Sequence, residues 1–202
     1  MELLVLGLDG LSSNMLERFD PKTPFFDALL DEGISGSLRS VDPPDTFPAW
    51  TSFATGLDPS RHGVSNMVLQ EADYSQPPVT PNTSDPAIYD LIPDATFINL
   101  QASYGRLPAA ENTTLVAGKL APEKETTVPG GLQSLPEYNQ YQVFKDDEFV
   151  GEGKRNRPEE YVAHLSEILE SKYNFANAAF EKKTSQTLGL YCSPRWIGSL
   201  TS

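Results

Sequence analysis

Two residues near the start of the sequence, Asp9 and Thr46, have side chains suited to metal-assisted chemistry on phosphorus. Asp9 directly follows residues 3–8, a continuous apolar run typical of a strand that is buried on both faces of a parallel sheet. Ligand sites in open α/β sheets gather at the carboxyl ends of the strands. The sequence therefore predicts a carboxylate at such an end, where it could bind a divalent cation.

Thr46 lies at or just before a predicted helix that has Pro48 in its first turn and Gly56 at its end. Free N–H groups and the helix dipole favour an anion at such a terminus. A hydroxyl there could attack a phosphorus centre if a bound metal lowered its pKa. The backbone N–H of Phe47 would help to hold the phosphoryl oxygens, whereas Pro48 has no N–H group to donate.

The residue types alone leave a simpler interpretation open. An aspartate at the end of a first strand is often a turn residue or a helix cap, and a threonine before a helix is commonly its N-cap. Asp9 and Thr46 are therefore candidates for either role until further residues are considered.

The predicted elements alternate between strands and helices along the chain. The further predicted strands are 34–40, 96–100, 114–117 and 187–192, and the further predicted helices are 24–32, 85–91 and 158–180. This order predicts one α/β domain over residues 1–202, with a mostly parallel sheet and helices on both faces. Residues 120–157 are rich in Gly, Pro and charge, which is typical of a lid or an insertion.

The amino-acid composition limits which functions and which cellular location we expect. The formal net charge is −13 and the pI is about 4.5, which argues against nucleic-acid binding. The acidic surface is explained either by solubility or by adaptation to high salt. No apolar run approaches the roughly 20 residues of a membrane helix. The single cysteine, Cys192, excludes an internal disulfide and favours a cytoplasmic location.

Two segments resemble one known family. VLGLDG at residues 5–10 and PDTFPAWTSFATGLDPSRHGV at residues 44–64 are similar to the type I phosphodiesterase / nucleotide pyrophosphatase family of the alkaline-phosphatase superfamily. Residues 22–33 also resemble a helix of that family. The resemblance covers residues 1–67 well and 84–120 more faintly. It implies an alkaline-phosphatase-like fold and the hydrolysis of phosphodiester or phosphomonoester bonds in a small phosphorylated substrate.

The resemblance also implies roles for individual residues. Asp9 matches an aspartate that binds one of two divalent metals, usually zinc. Thr46 matches the nucleophile, which also contacts a metal and forms a phospho-enzyme intermediate. His62 and Gly63 match a structural turn, and His164 is not expected to be a ligand. Thr46 also favours the phosphodiesterases over the related mutases, which use serine, and the sulfatases, which need a different motif.

The resemblance weakens towards the C-terminus. Arg195 and Ser199 stand where the family has an aspartate and a histidine that bind metal, and neither side chain is a good zinc ligand. A later Asp-His-Gly segment of the family is also missing. We therefore expect a domain that is incomplete at its C-terminus, with partial metal binding. The alternatives are an inactive, truncated or degenerate relative, or a binding or interaction module that self-associates through an exposed sheet edge.

Overall fold

A parallel sheet forms the centre of the protein in the computed structural model, which describes residues 2–19, 24–66, 81, 83–118, 121, 124–142, 157–183 and 186–193. The strands are β1 (Leu3–Leu8), β2 (Ala95–Leu100), β3 (Thr114–Ala117) and β4 (Leu188–Ser193). Their order in the sheet is β1-β4-β2-β3, and each neighbouring pair is parallel. The predicted α/β class with a parallel sheet is confirmed.

Helices connect these strands. In the described residues they are α1 (Ser13–Phe19), α2 (Pro24–Glu32), α3 (Thr46–Thr55), α4 (Pro59–His62), α5 (Ile88–Leu91), α6 (Lys124–Thr127) and α7 (Pro158–Lys182), with a 3₁₀ turn at Pro136–Asn139. None of the helices in this part of the chain is both long enough and apolar enough to cross a bilayer. The parallel neighbours β2 and β3 are joined by residues 101–113, which form turns and no helix, whereas helices lie in the longer connections before β2 and after β3.

One face of the sheet packs against α3 and α5. Phe97 of β2 and Leu190 of β4 are fully buried there, together with Ala54 of α3 and Tyr89 of α5. The rings of Tyr89 and Phe97 meet edge to face, with their centroids 6.1 Å apart. This apolar layer fixes α3 against the strands, and α3 is the helix that begins with Thr46.

The opposite face packs against α7. Ile98 and Val116 are fully buried against Phe175 in the middle of this helix. Val128 and Tyr141, from the segment predicted to be a lid or an insertion, also belong to this core and are about as buried. Helices therefore cover both faces of the sheet, and the described part of that segment contributes to the interior.

A bulge in β2 places a polar group in this second core. The pairing of β2 with β3 shifts between Ile98 and Leu100, and Asn99 has a left-handed backbone with φ of 60°. Because a bulge changes the direction of a side chain, Asn99 points towards α7. Its Oδ1 accepts a hydrogen bond from the fully buried Lys172 Nζ at 2.9 Å, and its Nδ2 donates to the Cys192 carbonyl at 2.6 Å.

The predicted strand at 34–40 is wrong, because these residues form neither strand nor helix. Ile34 and Leu38, the large apolar residues of this segment, are essentially fully exposed. An isolated strand has no partner for its backbone groups, and the residues of the segment alone do not supply one. In the described sheet β1 is an edge strand, and its leucines Leu3, Leu4 and Leu6 are half-exposed. Self-association at this edge stays a prediction.

Candidate active site

The start of α3 places Thr46 at the carboxyl edge of the sheet. Asp45 precedes the helix with an extended backbone, and its Oδ1 accepts a hydrogen bond from the Thr46 N–H at 2.6 Å. Gly56 ends the helix in the left-handed conformation, with φ of 68°. The N-cap role that the sequence left open for Thr46 therefore belongs to Asp45, and Thr46 is the first helical residue.

Asp9 and Thr46 meet in the structure, although 37 positions separate them in sequence. Thr46 Oγ1 lies 3.2 Å from Asp9 Oδ1 and 3.2 Å from Asp9 Oδ2, and it donates a hydrogen bond to this carboxylate. The indole Nε1 of Trp50, one turn further along α3, also donates to Asp9 Oδ1 at 3.2 Å. Asp9 is not the cap of α1, since Ser12 Oγ accepts the Met15 N–H at that helix.

A cleft of about 610 Å³ opens beside these groups, which is within the usual range for small-ligand sites. Its walls combine backbone, hydroxyl and carboxylate groups. The lining residues are Asp9, Gly10, Leu11, Ser12, Ser13, Gly36, Ser37, Leu38, Ser40, Pro44, Asp45, Thr46 and Ala49. Four serines and a threonine thus present hydroxyl groups to the same space as two aspartates.

The two aspartates determine which ligands this cleft can accept. Asp9 and Asp45 lie on either side of Thr46, and the Thr46 N–H already donates to Asp45. Two carboxylates repel a bare phosphate ester, and this repulsion opposes the attraction of the helix N-terminus. A cation bound to the carboxylates would remove the repulsion, so the arrangement favours binding of a phosphate together with a metal.

Asp9 and Thr46 fit a divalent cation as two of its oxygen ligands. In a tetrahedral site with bonds of about 2.0–2.2 Å, two ligand atoms lie roughly 3.3–3.6 Å apart. The 3.2 Å between Thr46 Oγ1 and Asp9 Oδ2 is close to this separation. Within the described ranges there is no group of three or more His, Cys, Asp or Glu side chains that could hold a metal.

Cys192 lies near this edge of the sheet, in β4, with its thiol fully buried. Burial raises the pKa of the thiol, and the negative charge of Asp9 raises it further. The thiol is therefore neutral at physiological pH and does not add to the negative charge around Asp9.

His62 is the last residue of α4, and Gly63 follows it as the C-cap. Gly63 ends α4 with φ of 75°. The His62 ring is completely buried, its Nδ1 accepts the Val64 N–H at 3.1 Å, and its Nε2 lies 2.9 Å from Ser52 Oγ. Because Nδ1 is an acceptor, the proton is on Nε2, which donates to Ser52. These contacts join the turn to α3, as expected for a structural histidine.

The stability of the protein should depend on the charge of His62. Burial lowers the pKa of His62, although the charge of Asp58 opposes the change. The unfolded chain therefore binds a proton at His62 more readily than the folded protein does. For this reason the contribution of neutral His62 to the free energy of unfolding is complete above about pH 6.5, and it decreases as the pH falls below this value. We expect His62→Gln to reduce the free energy of unfolding by about 1–3 kcal/mol at neutral pH.

Urea unfolding of both proteins at about pH 7.5 and about pH 5.5 measures this dependence. The difference between the wild type and His62→Gln should become smaller at the lower pH. Thr55→Ala, which changes a hydroxyl on α3 and no titratable group, is the control and should change the stability equally at both pH values. A difference for His62→Gln that is the same at both pH values would contradict the expected protonation state.

Sequence reasoning missed two residues of this site. Asp45 was not among the predicted site residues, although an aspartate before a helix is a common N-cap signal. Trp50 follows Thr46 by four residues, a spacing that places both on one face of a helix. Phe47 is buried in the first turn of α3. Arg195 and Ser199 lie outside the described residues.

The all-parallel sheet, with a hydroxyl and a carboxylate meeting at its carboxyl edge, identifies an α/β protein whose site lies at the usual position for such sheets. The model of the type I phosphodiesterase / nucleotide pyrophosphatase family matches residues 3–189, so the chain belongs to this family. The family is generally metal-dependent. Neither the curated proteins nor the solved structures contain a significant match to the chain.

Proposed function

We propose that this protein hydrolyses phosphodiester or phosphomonoester bonds of small phosphorylated substrates, with Thr46 as the nucleophile and divalent metal as the cofactor. The observation that carries the proposal is the contact of Thr46 Oγ1 with both oxygens of Asp9 at the first residue of α3. Membership of a phosphodiesterase and pyrophosphatase family supports the same reaction.

The residues of the site have separate tasks in this proposal. Asp9 and Thr46 would hold the metal, which is zinc in the proposed enzyme. A bound divalent cation neutralises charge on the phosphoryl group and makes an oxygen that it binds more acidic. The hydrogen bond to Asp9 directs the Thr46 proton towards the carboxylate, so that an oxygen lone pair is available to phosphorus. The N–H of Phe47 would donate to a phosphoryl oxygen.

Hydrolysis then takes two displacements. Thr46 Oγ1 forms a bond to phosphorus and loses its proton, while the leaving alcohol departs with the electrons of the broken P–O bond and takes up a proton. Water next attacks the phosphothreonine, which releases the phosphate product and restores the Thr46 hydroxyl. The hydroxyls of Ser12, Ser37 and Ser40 in the cleft are suited to donate hydrogen bonds to phosphate or sugar oxygens of the substrate.

A further part of the proposal concerns specificity and domain organisation. In this proposal residues 1–202 form one domain, and residues 120–157 act as a lid or an insertion in addition to the core contacts that Val128 and Tyr141 make. Loops that surround a rigid scaffold commonly carry such specificity.

The competing proposal is a family member that binds a metal or an anion without turnover. Arg195 and Ser199, at positions where the family has metal ligands, favour it. The described residues supply two oxygen ligands at the site, Asp9 and Thr46. A protein with this set could still bind one cation together with a phosphate.

Turnover assays distinguish the two proposals. The purified chain is incubated with bis-p-nitrophenyl phosphate or p-nitrophenyl phosphate, in the presence of Zn²⁺, Mn²⁺ or Mg²⁺, and bound metal is measured by mass spectrometry. We expect metal-dependent release of nitrophenol that EDTA abolishes and added metal restores. The assay is repeated in molar salt, because the net charge of −13 is also consistent with a salt requirement. Bound metal without turnover in any of these conditions would favour the inactive relative.

A further inference from the structure

Trp50 contacts Asp9 from the same helix as Thr46. The two residues are four positions apart on α3, so their side chains lie on one face of the helix. Trp50 Nε1 donates to Asp9 Oδ1 at 3.2 Å, and the one proton of Thr46 Oγ1 is shared between the two carboxylate oxygens. A single helix face therefore supplies both donors that the structure places on this carboxylate.

The indole ring is held against the strand that carries Asp9. Gly7 lies two positions before Asp9 in β1, and a Cβ at Gly7 would overlap the Trp50 ring. Phe53 meets the ring edge to face, with 5.6 Å between the centroids. Trp50 also packs against the buried residues between α3 and the sheet. Because the ring is enclosed on these sides, its N–H direction towards Asp9 is fixed.

The hydrogen bonds make the two oxygens of Asp9 unequal. Trp50 Nε1 donates to Oδ1 alone, whereas the single proton of Thr46 is shared between Oδ1 and Oδ2 at equal distances. Because the indole N–H occupies one lone pair of Oδ1, this oxygen has less capacity for a further ligand than Oδ2. The carboxylate is thus oriented with Oδ2 as the oxygen available to a cation, next to the Thr46 hydroxyl.

We infer that Trp50 is a positioning residue for the metal ligand Asp9, and that its indole N–H directs Oδ2 to the cation. This inference rests on the proposed metal-dependent function. Partners of metal ligands outside the coordination sphere fix ligand orientation, and their loss commonly reduces metal affinity by about 10- to 100-fold. A tryptophan that served packing alone would not affect metal affinity through its N–H group.

Metal titration tests the inference. Zn²⁺ and Mn²⁺ are titrated calorimetrically into the wild type, Trp50→Phe and the control Phe53→Leu. Trp50→Phe retains an aromatic ring but loses the N–H, so we expect the dissociation constant to rise about 10- to 100-fold. Phe53→Leu changes the same aromatic pair without touching Asp9 and should leave the affinity within about twofold. Equal affinities in the wild type and Trp50→Phe would overturn the inference and leave the proposed function standing.

A second measurement does not require metal or the Trp50→Phe variant. With ¹⁵N-labelled tryptophan, the chain gives two indole N–H resonances, because it contains two tryptophans, and Trp196→Phe identifies that of Trp50. We expect Asp9→Asn to move the Trp50 resonance, since the acceptor loses its charge. An unmoved resonance would show that the contact is absent and would overturn the inference. A wild-type chain that binds neither metal would contradict the proposed function and this inference together.

Discussion

Thr46→Ala should lose turnover of bis-p-nitrophenyl phosphate by about a thousandfold or more, since removal of a nucleophile generally has effects of this size or larger. The variant lacks the oxygen that we propose attacks phosphorus, and it also lacks one of the two proposed oxygen ligands, which contacts Asp9. The backbone N–H at this position still donates to Asp45, so the helix cap is retained. The value of kcat with saturating metal measures the loss, and circular dichroism checks the fold.

Thr55→Ala is the matched control for this experiment, because it makes the same substitution at the opposite end of α3. The Thr55 hydroxyl donates to the Thr51 carbonyl at 2.8 Å and has no contact with Asp9. Its removal should leave kcat nearly unchanged. Thr46→Ser retains a hydroxyl and should keep measurable turnover. If Thr46→Ala hydrolysed the substrate as fast as Thr55→Ala, another group would have to be the nucleophile.

The sequence predicted the positions of the central strands well because these strands are buried apolar runs, whereas β1, which was predicted to be buried on both faces, is a half-exposed edge strand. Residues 114–117 and 187–192 are short apolar runs, and they became β3 and β4 to within one residue. The failure at 34–40 has the same physical origin, because a strand depends on its neighbours as much as on its own residues. The residues of that segment do not specify a backbone partner for it.

The candidate site was predicted in part. Asp9 and Thr46 were identified from their types, their positions beside elements and the family resemblance, and the structure places them in contact. The Trp50 contact and the Asn99–Lys172 pair were not predicted. The latter joins residues 73 positions apart through a bulge, and a bulge depends on tertiary pairing that no local pattern describes.

The buried contact between Asn99 and Lys172 is the basis of the second prediction, which concerns the stability of the protein. Lys172→Ala should reduce the free energy of unfolding by about 3–5 kcal/mol, because it leaves a cavity in the core and removes a donor from a buried amide. Lys172 and Asn99 are both fully buried, and Asn99 Oδ1 would lose the Lys172 hydrogen bond. Through its Nδ2, Asn99 also holds the carbonyl of Cys192 near the end of β4.

Tyr173, which follows Lys172 on α7, provides the control because its side chain is 56% exposed. Tyr173→Ala should reduce the free energy of unfolding by less than about 1 kcal/mol. Lys172→Met retains most of the side-chain volume but still leaves Asn99 Oδ1 without this donor, so it should recover the part of the loss that comes from the cavity and not the part that comes from the hydrogen bond. Urea unfolding monitored by circular dichroism gives the three free energies. Equal losses in Lys172→Ala and Tyr173→Ala would show that the buried contact with Asn99 contributes nothing, and that the end of β4 is held by the apolar core alone.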